Sequence, residues 1–322
     1  MLRMTSRSLR IVLPGGSGQG GALLARYFQS KGHSVVVLTR RPTQAPWKVV
    51  QWDAVSIGPW AGEIDGADLV INLAGRSVNC RYTAANRREI TKSRTNSTRI
   101  LGEAIRMCSQ PPKVWMNAST ATIYRHAFDR SMDEATGEIG GKELNAPDTW
   151  RFSINVATSW EEAFFSSVAP GTRKIALRSA MVMSPDPGGV FDTLLRLVRF
   201  RLGGASGSGK QFVSWIHDRD FLASIDYLLA HDDLDGTINL ASPSPLPNAE
   251  FMASLRKAWG TRIGLPATEW MLEIGAIFIR TETELILKSR RVIPGRLTAH
   301  GFKFDFPEWP AAAQDLVRRW RN

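Results

Sequence analysis

Apolar residues along the chain follow two patterns in turn: short continuous runs, and longer stretches at helical spacing. The first run, Ile11-Val12-Leu13, meets a glycine cluster, and Leu23, Leu24, Tyr27 and Phe28 then recur at a helical period. That predicts a strand, a tight turn and a helix. Gly32 closes this helix, and the β-branched run His33–Thr39 predicts a second strand. Val49–Asp53 predicts a third short strand, and Ala67–Gly75 a buried one ending in Asn72-Leu-Ala-Gly75. A long amphipathic helix is expected from the N-cap Thr83 to about Cys108, with Ile90, Leu101, Ala104 and Ile105 on its apolar face. Pro111-Pro112 stops it, and Lys113–Ser119 forms the next strand, running into Thr120–Tyr124. The acid- and glycine-rich stretch to Trp150 reads as an irregular loop, followed by a helix Phe152–Ser167 and a strand Arg173–Met183.

Strands alternating with helices from residue 10 to 183 predict an α/β fold with a doubly wound parallel sheet. Pro185–Gly189 breaks the pattern, and Leu194–Leu202 reads as a basic helix. Further on, Asp220 is expected to cap a helix Phe221–Leu229, and another helix runs through Trp259. Gly301–Phe306 alternates like a short strand, and Trp309, Ala312, Ala313, Leu316, Val317 and Trp320 mark a last helix. The expected division is a dinucleotide-binding domain over 1–183, rejoined by about 211–242, with a smaller α/β substrate-binding lobe from 184–210 and 243–322.

The glycines after the first strand fit Gly16-x-Gly18-x-x-Gly21 and Gly15-x-x-Gly18-x-x-Gly21. In a Rossmann βαβ unit one glycine makes the turn and one lets backbone N–H groups approach a diphosphate. A third lets the helix pack on the strand, and the anion sits at the helix N-terminus. Gly15, Ser17, Gly18, Gln19 and Gly21 are therefore candidate cofactor contacts. After the second strand an NAD enzyme usually carries an acid for the adenosine ribose, whereas this chain has Thr39-Arg40-Arg41. A hydroxyl and two guanidinium groups suit a 2′-phosphate, which favours NADP over NAD; the alternative is a solvated basic loop. Asp53 is placed to meet the adenine edge with Trp52 as a wall, and Leu73, Ala74 and Gly75 let a cofactor lie against backbone.

The chain has 322 residues, 43% hydrophobic and 22% charged, an ordinary balance for a soluble globule. Its two cysteines, Cys80 and Cys108, form no CxxC, which points to a cytoplasmic setting, and its five scattered histidines give no metal-ligand spacing. The most apolar segment, Trp270–Ile279, is interrupted by Glu273 and stopped by Arg280, so no membrane span is expected. Arg3, Arg7 and Arg10 at the start faintly resemble a transit peptide, but no apolar signal core accompanies them. The net charge of +11 is spread over several helices without a nucleic-acid motif, so an anionic small-molecule partner is the preferred account.

Taken together, the GGSGQGG loop, Asp53, the NLAG turn and the segment Ala118–Tyr124 resemble the extended short-chain dehydrogenase/reductase superfamily. Ser93-Arg94, Trp160-Glu161, Leu177-Arg178, Ser214-Trp-Ile-His217, Asn239-Leu and Arg290-Arg-Val resemble one atypical branch of it. That branch is the NAD(P)-dependent epimerase/dehydratase-like proteins with a C-terminal domain of their own. The resemblance implies NAD(P) binding and, in better-known relatives, hydride transfer with a Ser/Thr, a Tyr and a Lys four residues later. Tyr27-x-x-x-Lys31 fits that spacing but lies on the first helix, and aligning Trp160-Glu161 puts Ser153 and Ala157 where the Tyr and Lys belong. The usual acid/base pair is missing, as the resemblance implies for this branch.

Near the nicotinamide this leaves Ser119, Thr120 and Tyr124 as candidate catalytic residues, with Arg178 as a further cofactor contact. Tyr124 suits a proton donor or, equally, an aromatic wall, and Ser119 suits backbone bonding in its loop. Gly204-x-x-x-x-Gly209-Lys210 imitates a P-loop, but Gln211 replaces the magnesium-binding hydroxyl and no strand precedes it. His217 is read as structural and not as a base. The expectation is an NADP-dependent oxidoreductase or epimerase-like enzyme acting on a small carbonyl or hydroxyl compound, an anionic one among the options, with a homodimer as one option for assembly. The alternative is an NADP-binding sensor or scaffold without turnover.

Overall fold

The computed structural model describes residues 7–144, 146–268 and 287–322; the run Trp270–Ile279 lies outside the described residues. The chain runs β1 (Arg10–Pro14), α1 (Gln19–Ser30), β2 (Ser34–Thr39), β3 (Lys48–Gln51), β4 (Leu69–Asn72), α2 (Ala84–Met107) and β5 (Val114–Thr120). It continues with α3 (Asp148–Ser166), β6 (Arg173–Ser179), β7 (Met181–Met183), α4 (Val190–Arg199), β8 (Phe212–Val213), β9 (Trp215–His217) and α5 (Asp218–Ala230). Last come β10 (Gly236–Leu240), β11 (Leu246–Pro247), α6 (Asn248–Trp259), α7 (Gly295–His300) and α8 (Trp309–Arg321). Seven strands form a parallel sheet in the order β10-β6-β5-β4-β1-β2-β3, so the connections reverse direction between β1 and β4. This is the doubly wound Rossmann-type sheet the alternation predicts, with its ligand crevice expected at that reversal.

Side chains alternate across the sheet with the period of two that a strand imposes. Ile11, Leu13, Val35, Val37, Leu69, Ile71, Met116 and Leu177 face a core closed by α1, α5 and α7. Val12, Val36, Leu38, Val70, Trp115 and Ala176 face the opposite core, closed by α2 and α3. A third core lies between α4, α6 and α8, where Trp309 stacks on Phe251 at 4.0 Å and meets Trp215 edge-on at 5.0 Å. Thr83 caps α2 as expected, its hydroxyl accepting from the Asn86 amide at 3.2 Å.

Five expectations need correction. The run Arg173–Met183 is two strands, because after Ser179 the chain leaves the main sheet and Met181–Met183 pairs in parallel with Trp215–His217. A continuous apolar run carries no signal for such a change of partner. Gly301–Phe306 forms no strand: Gly301, at φ +96°, is the left-handed cap of α7, and the Asp305 and Phe306 amides donate to Asp220 at 2.7 and 3.0 Å. Asp220 is therefore occupied at a distance, and His217 caps α5 instead, with Nδ1 accepting from the Arg219 amide at 3.1 Å. Finally, the basic helix starts at Val190, four residues before Leu194, and α3 starts at Asp148, four before Phe152.

Two predictions follow from this packing. Gly21 lies in the first turn of α1 against Gly16, and a Cβ there would fall 2.3 Å from the Gly16 Cα. Neither backbone can yield, so Gly21→Ala should lower stability by about 1–3 kcal/mol in chemical unfolding. His217 is fully buried, stacked on Phe306, with Nε2 3.2 Å from Asp315. Burial pushes its pKa down to about 4 against the pull of Asp218 and Asp315. Unfolded, the imidazole titrates near about 6.5, so its contribution is present above that pH and is lost as pH falls through 4. Urea midpoints should drop over this window in the wild type, and drop less in His217→Asn.

Candidate functional site

At the reversal point the β1 and β4 loops touch backbone to backbone. Gly15 has φ +75°, and a Cβ there would lie 2.5 Å from the Ala74 Cα, so only glycine fits. Its amide donates to Leu38 at 2.8 Å, which ties the loop to β2 as well. Gly18 then caps α1 with no side-chain hydrogen bond, and a Cβ on it would meet nothing within 4 Å. The first turn holds no acid. Helix amides that lack intrahelical acceptors therefore open onto free space, the arrangement that suits a diphosphate.

Thr39, at the end of β2, donates its hydroxyl to Ser17 at 3.1 Å, so the glycine loop and the β2 terminus form one wall. Arg40 and Arg41 are exposed, and among the described residues neither guanidinium has a hydrogen-bond or ion-pair partner. Arg40 borders a cleft of about 680 Å³ that Gln51, Trp52, Asp53, Ser56 and Trp60 also line. Trp52 is buried edge-on against Trp60 at 5.3 Å and makes the floor. Asp53 is exposed, accepting from the Ser56 hydroxyl and from the Val55 and Ser56 amides at 2.9 Å. Those bonds, the Ser56 hydroxyl foremost, hold its carboxyl below the usual range. Gln19, at the start of α1, reaches the Asp186 carbonyl at 3.5 Å, and Arg26 pairs with the Asp186 carboxylate. The segment before α4 thus lies against the cofactor helix.

The Leu73-Ala74-Gly75 turn is set by a buried polar cluster. Asn72 accepts from the Ala74 amide at 3.1 Å and donates to Asn117 at 2.7 Å and Thr98 at 3.2 Å, while Trp160 Nε1 donates to Thr98 at 3.0 Å. Every member of the cluster is hydrogen-bonded, which is what buried amides require.

At the ends of β5 and β6 a second chain of hydrogen bonds begins. Ser119 donates to Glu161 at 2.6 Å, and Glu161 receives Arg178 through both oxygens, at 2.8 and 2.7 Å. Arg178 Nη1 donates to the Tyr124 hydroxyl at 2.9 Å, and that hydroxyl donates to Asn239 at 3.0 Å. Asn239 in turn donates from its side chain to Ile293 and from its amide to Glu134. Burial pushes the Tyr124 phenol up, outweighing the nearby Arg178, and pushes the Glu134 carboxyl up as well.

Tyr124, expected as a proton donor or an aromatic wall, is 2% exposed, with its hydroxyl proton and a lone pair both engaged, the geometry of a buttress. Arg178, expected at the cofactor, turns its guanidinium to Glu161 and Tyr124 instead. Thr120 caps the turn Ala121–Ile123 through its hydroxyl. Ala157, at the position of the usual Lys, is fully buried against Ala121, Ile123, Tyr124 and Val292. Glu161 and Asn239 were recognisable in sequence only as motif members. Glu161 falls at the same helical spacing as Ala157, Trp160 and Phe164, so a carboxylate on the apolar face was the available signal that a buried cation lies opposite.

The imitations resolve as structure. Tyr27 and Lys31 both bond Asp226, clasping α1 to α5. In the Gly204–Gln211 loop, Gln211 donates to Ser206 at 2.8 Å and Gly209 accepts from the Ala249 amide at 3.0 Å, so the loop binds itself to α6. Among the described residues no group of His, Cys, Asp and Glu could hold a metal, and no helix is long and apolar enough to cross a membrane.

Comparison with known proteins agrees with this geometry. Epimerase family protein SDR39U1 of Homo sapiens is 31% identical over 314 residues, which cover 96% of this chain and 100% of the relative. The crystal structure of human epimerase family protein SDR39U1 (isoform 2) with NADPH superposes with a TM-score of 0.83 at 29% identity, covering 96% of this chain and 99% of that one. A nucleoside-diphosphate sugar epimerase from Corynebacterium glutamicum superposes at 0.74 and 26% identity, over 97% of this chain and 59% of its own. Residues 267–316 match a domain of unknown function, DUF1731. Residues 11–241 match the NAD dependent epimerase/dehydratase family, from β1 to just past β10 and so across the whole parallel sheet; the chain belongs to that family.

Proposed function

We propose that this chain binds NADP across the β1/β4 crevice and exchanges a hydride with a small carbonyl or hydroxyl compound. The carrying observation is the pairing of an uncapped, acid-free α1 N-terminus with two guanidinium groups, Arg40 and Arg41, that have no partner among the described residues. The NADPH held by the human relative supports the same reading. Gly15, Ser17, Gly18, Gln19 and Gly21 cradle the diphosphate, and Thr39, Arg40 and Arg41 take the 2′-phosphate. Trp52 and Asp53 meet the adenine, and Leu73, Ala74 and Gly75 support the middle of the cofactor.

The nicotinamide supplies or accepts the hydride. Ser119 and Thr120 close the far end of the crevice and orient the substrate oxygen. Tyr124 and Arg178 hold Glu161, and through it the Ser119 hydroxyl, in place; they are positioning residues, and the proton reaches the substrate from solvent. Residues 184–210 and 243–322 form the lobe that selects the substrate, with 211–242 rejoining the sheet. A second reading, an NADP sensor without turnover, is favoured by one observation: Ala157 is sealed in apolar packing where an acid/base lysine would stand.

A paired titration with NADPH and NADH, read by energy transfer from tryptophan, tests the cofactor. NADPH should bind more tightly, and Arg40→Glu should weaken it about tenfold to a hundredfold while leaving NADH little changed, the scale of losing a charge-assisted bond to phosphate. Equal binding of the two nucleotides by the wild type would exclude the 2′-phosphate assignment. Consumption of NADPH against a panel of carbonyl compounds then separates the readings: turnover that survives in Tyr124→Phe supports the enzyme with a solvent-linked proton, and tight NADPH with no turnover supports the sensor.

A further inference from the structure

Helix α4 carries more apolar surface than its core uses. Phe191, Leu195 and Val198 point into the third core and are fully buried. Leu197 and Phe200 lie on the same helix but outside that core, and Phe200 is 75% exposed. The helix ends in a Schellman turn: the Leu202 amide donates to the Leu197 carbonyl at 2.8 Å, and the Arg201 amide to Val198 at 3.0 Å. That closure returns Leu202 to the level of Leu197. A second segment is tied to this turn, the Leu265 amide donating to the Arg201 carbonyl at 2.7 Å and the Gly204 amide to Leu265 at 3.1 Å. Leu197, Leu202, Ile263 and Leu265 are between 40% and 58% exposed. Two hydrogen-bonded segments therefore present a group of large apolar side chains to solvent, where scattered single ones would be ordinary.

The same segments are basic. Residues 193–209 and 251–268 contain Arg196, Arg199, Arg201, Arg256, Lys257 and Arg262, and no acid. Arg196 pairs with Asp192, one turn back, and the others meet no carboxylate among the described residues. Arg199 lies over the Trp320 ring at 4.8 Å and the Trp259 ring at 5.7 Å, which fixes its charge at the surface. Arg201 has φ +62°, the left-handed position at which a Schellman turn ordinarily carries glycine. Holding a side chain there costs conformational energy. Its guanidinium is exposed, with no hydrogen-bond or ion-pair partner among the described residues, so no contact of that side chain offsets the strain.

We propose that this face rests on a lipid bilayer surface carrying anionic headgroups. The apolar side chains enter the acyl boundary, while Arg199, Arg201 and Arg262 meet the lipid phosphates. The chain lies on the membrane there and does not span it. A second copy fits poorly, because a two-fold contact would set an acid-free basic face against itself. Nucleic acid fits poorly too: Leu197, Leu202, Ile263 and Leu265 offer no π-face to a base and call for an apolar phase. The face uses no residue of the β1/β4 crevice and is independent of the cofactor reading.

The test is flotation of the intact protein with vesicles of phosphatidylcholine alone, or of phosphatidylcholine mixed with phosphatidylglycerol. Wild type should float with the mixed vesicles and not with the neutral ones, and less as salt rises. The pair Phe200→Ser and Leu202→Ser should abolish flotation. Arg201→Gly and Arg262→Gln should each weaken it about fivefold, the scale of one cation at an anionic surface. Arg201→Gly should also melt no lower than wild type, because it removes the left-handed strain together with the charge; that separates lost binding from lost folding. A wild type that floats with neither vesicle overturns the proposal. So does flotation unchanged in the folded variants, which puts the lipid contact elsewhere. Without flotation, a wild-type dimer in sedimentation that Phe200→Ser dissociates gives the face to a second copy. A DNA oligonucleotide retarded by wild type and released by Arg201→Gly gives it to nucleic acid, and either result displaces the lipid. If the serine pair does not fold, the two arginine variants carry the same comparisons.

Discussion

Everything at the working end of this molecule depends on two loops approaching closer than side chains permit. Gly15 rests on the Ala74 backbone, and Gly21 rests on Gly16. The first contact brings the β1 and β4 termini together, and the second draws the start of α1 down onto the loop. With both in place the α1 amides, the β2 terminus and the Leu73–Gly75 turn share one crevice, and the polar cluster around Asn72 fixes the turn from beneath. A single methyl at either contact would push the strand ends apart. The geometry of the crevice is thus set by absent atoms more than by attractive ones.

The other end of the crevice is stiffened in a different way. Where relatives of this fold class place a titrating Tyr and Lys, this chain has Ser153 and a sealed Ala157. The Glu161–Arg178 pair, joined to Ser119 and Tyr124, occupies the neighbouring space. A buried ion pair is poor evidence of stability, because desolvation of both charges offsets their attraction. Its effect here is directional: Ser119, Glu161, Arg178, Tyr124 and Asn239 can satisfy one another in only one mutual arrangement. That joins the ends of β5, β6 and β10 without any group free to titrate easily, since burial raises the phenol of Tyr124 away from neutral pH.

Period-two and period-3.6 patterns carried most of the sheet and its helices into view, along with the glycine loop and the basic end of β2. These features are local, and each follows from residues within a few positions of one another. The errors came from non-local decisions. Nothing in Arg173–Met183 announces that Met181 pairs with Trp215 and not with the main sheet, and nothing near Asp220 tells that its carboxylate is claimed by Asp305 and Phe306. The hydrogen bonding of Tyr124 was hidden for the same reason. Its hydroxyl partners, Arg178 and Asn239, are distant in sequence, so its saturation was invisible until the fold was known.

The third core has an implication for the order in which the chain is made. Phe251 and Trp215 belong to segments that emerge well before α8, yet the ring that covers them, Trp309, belongs to α8 itself. Until α8 leaves the ribosome, the inner faces of α4 and α6 have no lid, and this half of the molecule must wait exposed beside a sheet that is already complete. Synthesis therefore passes through a stage with a finished nucleotide fold and an unfinished apolar neighbour, the stage at which a holding chaperone or a protease has its opportunity.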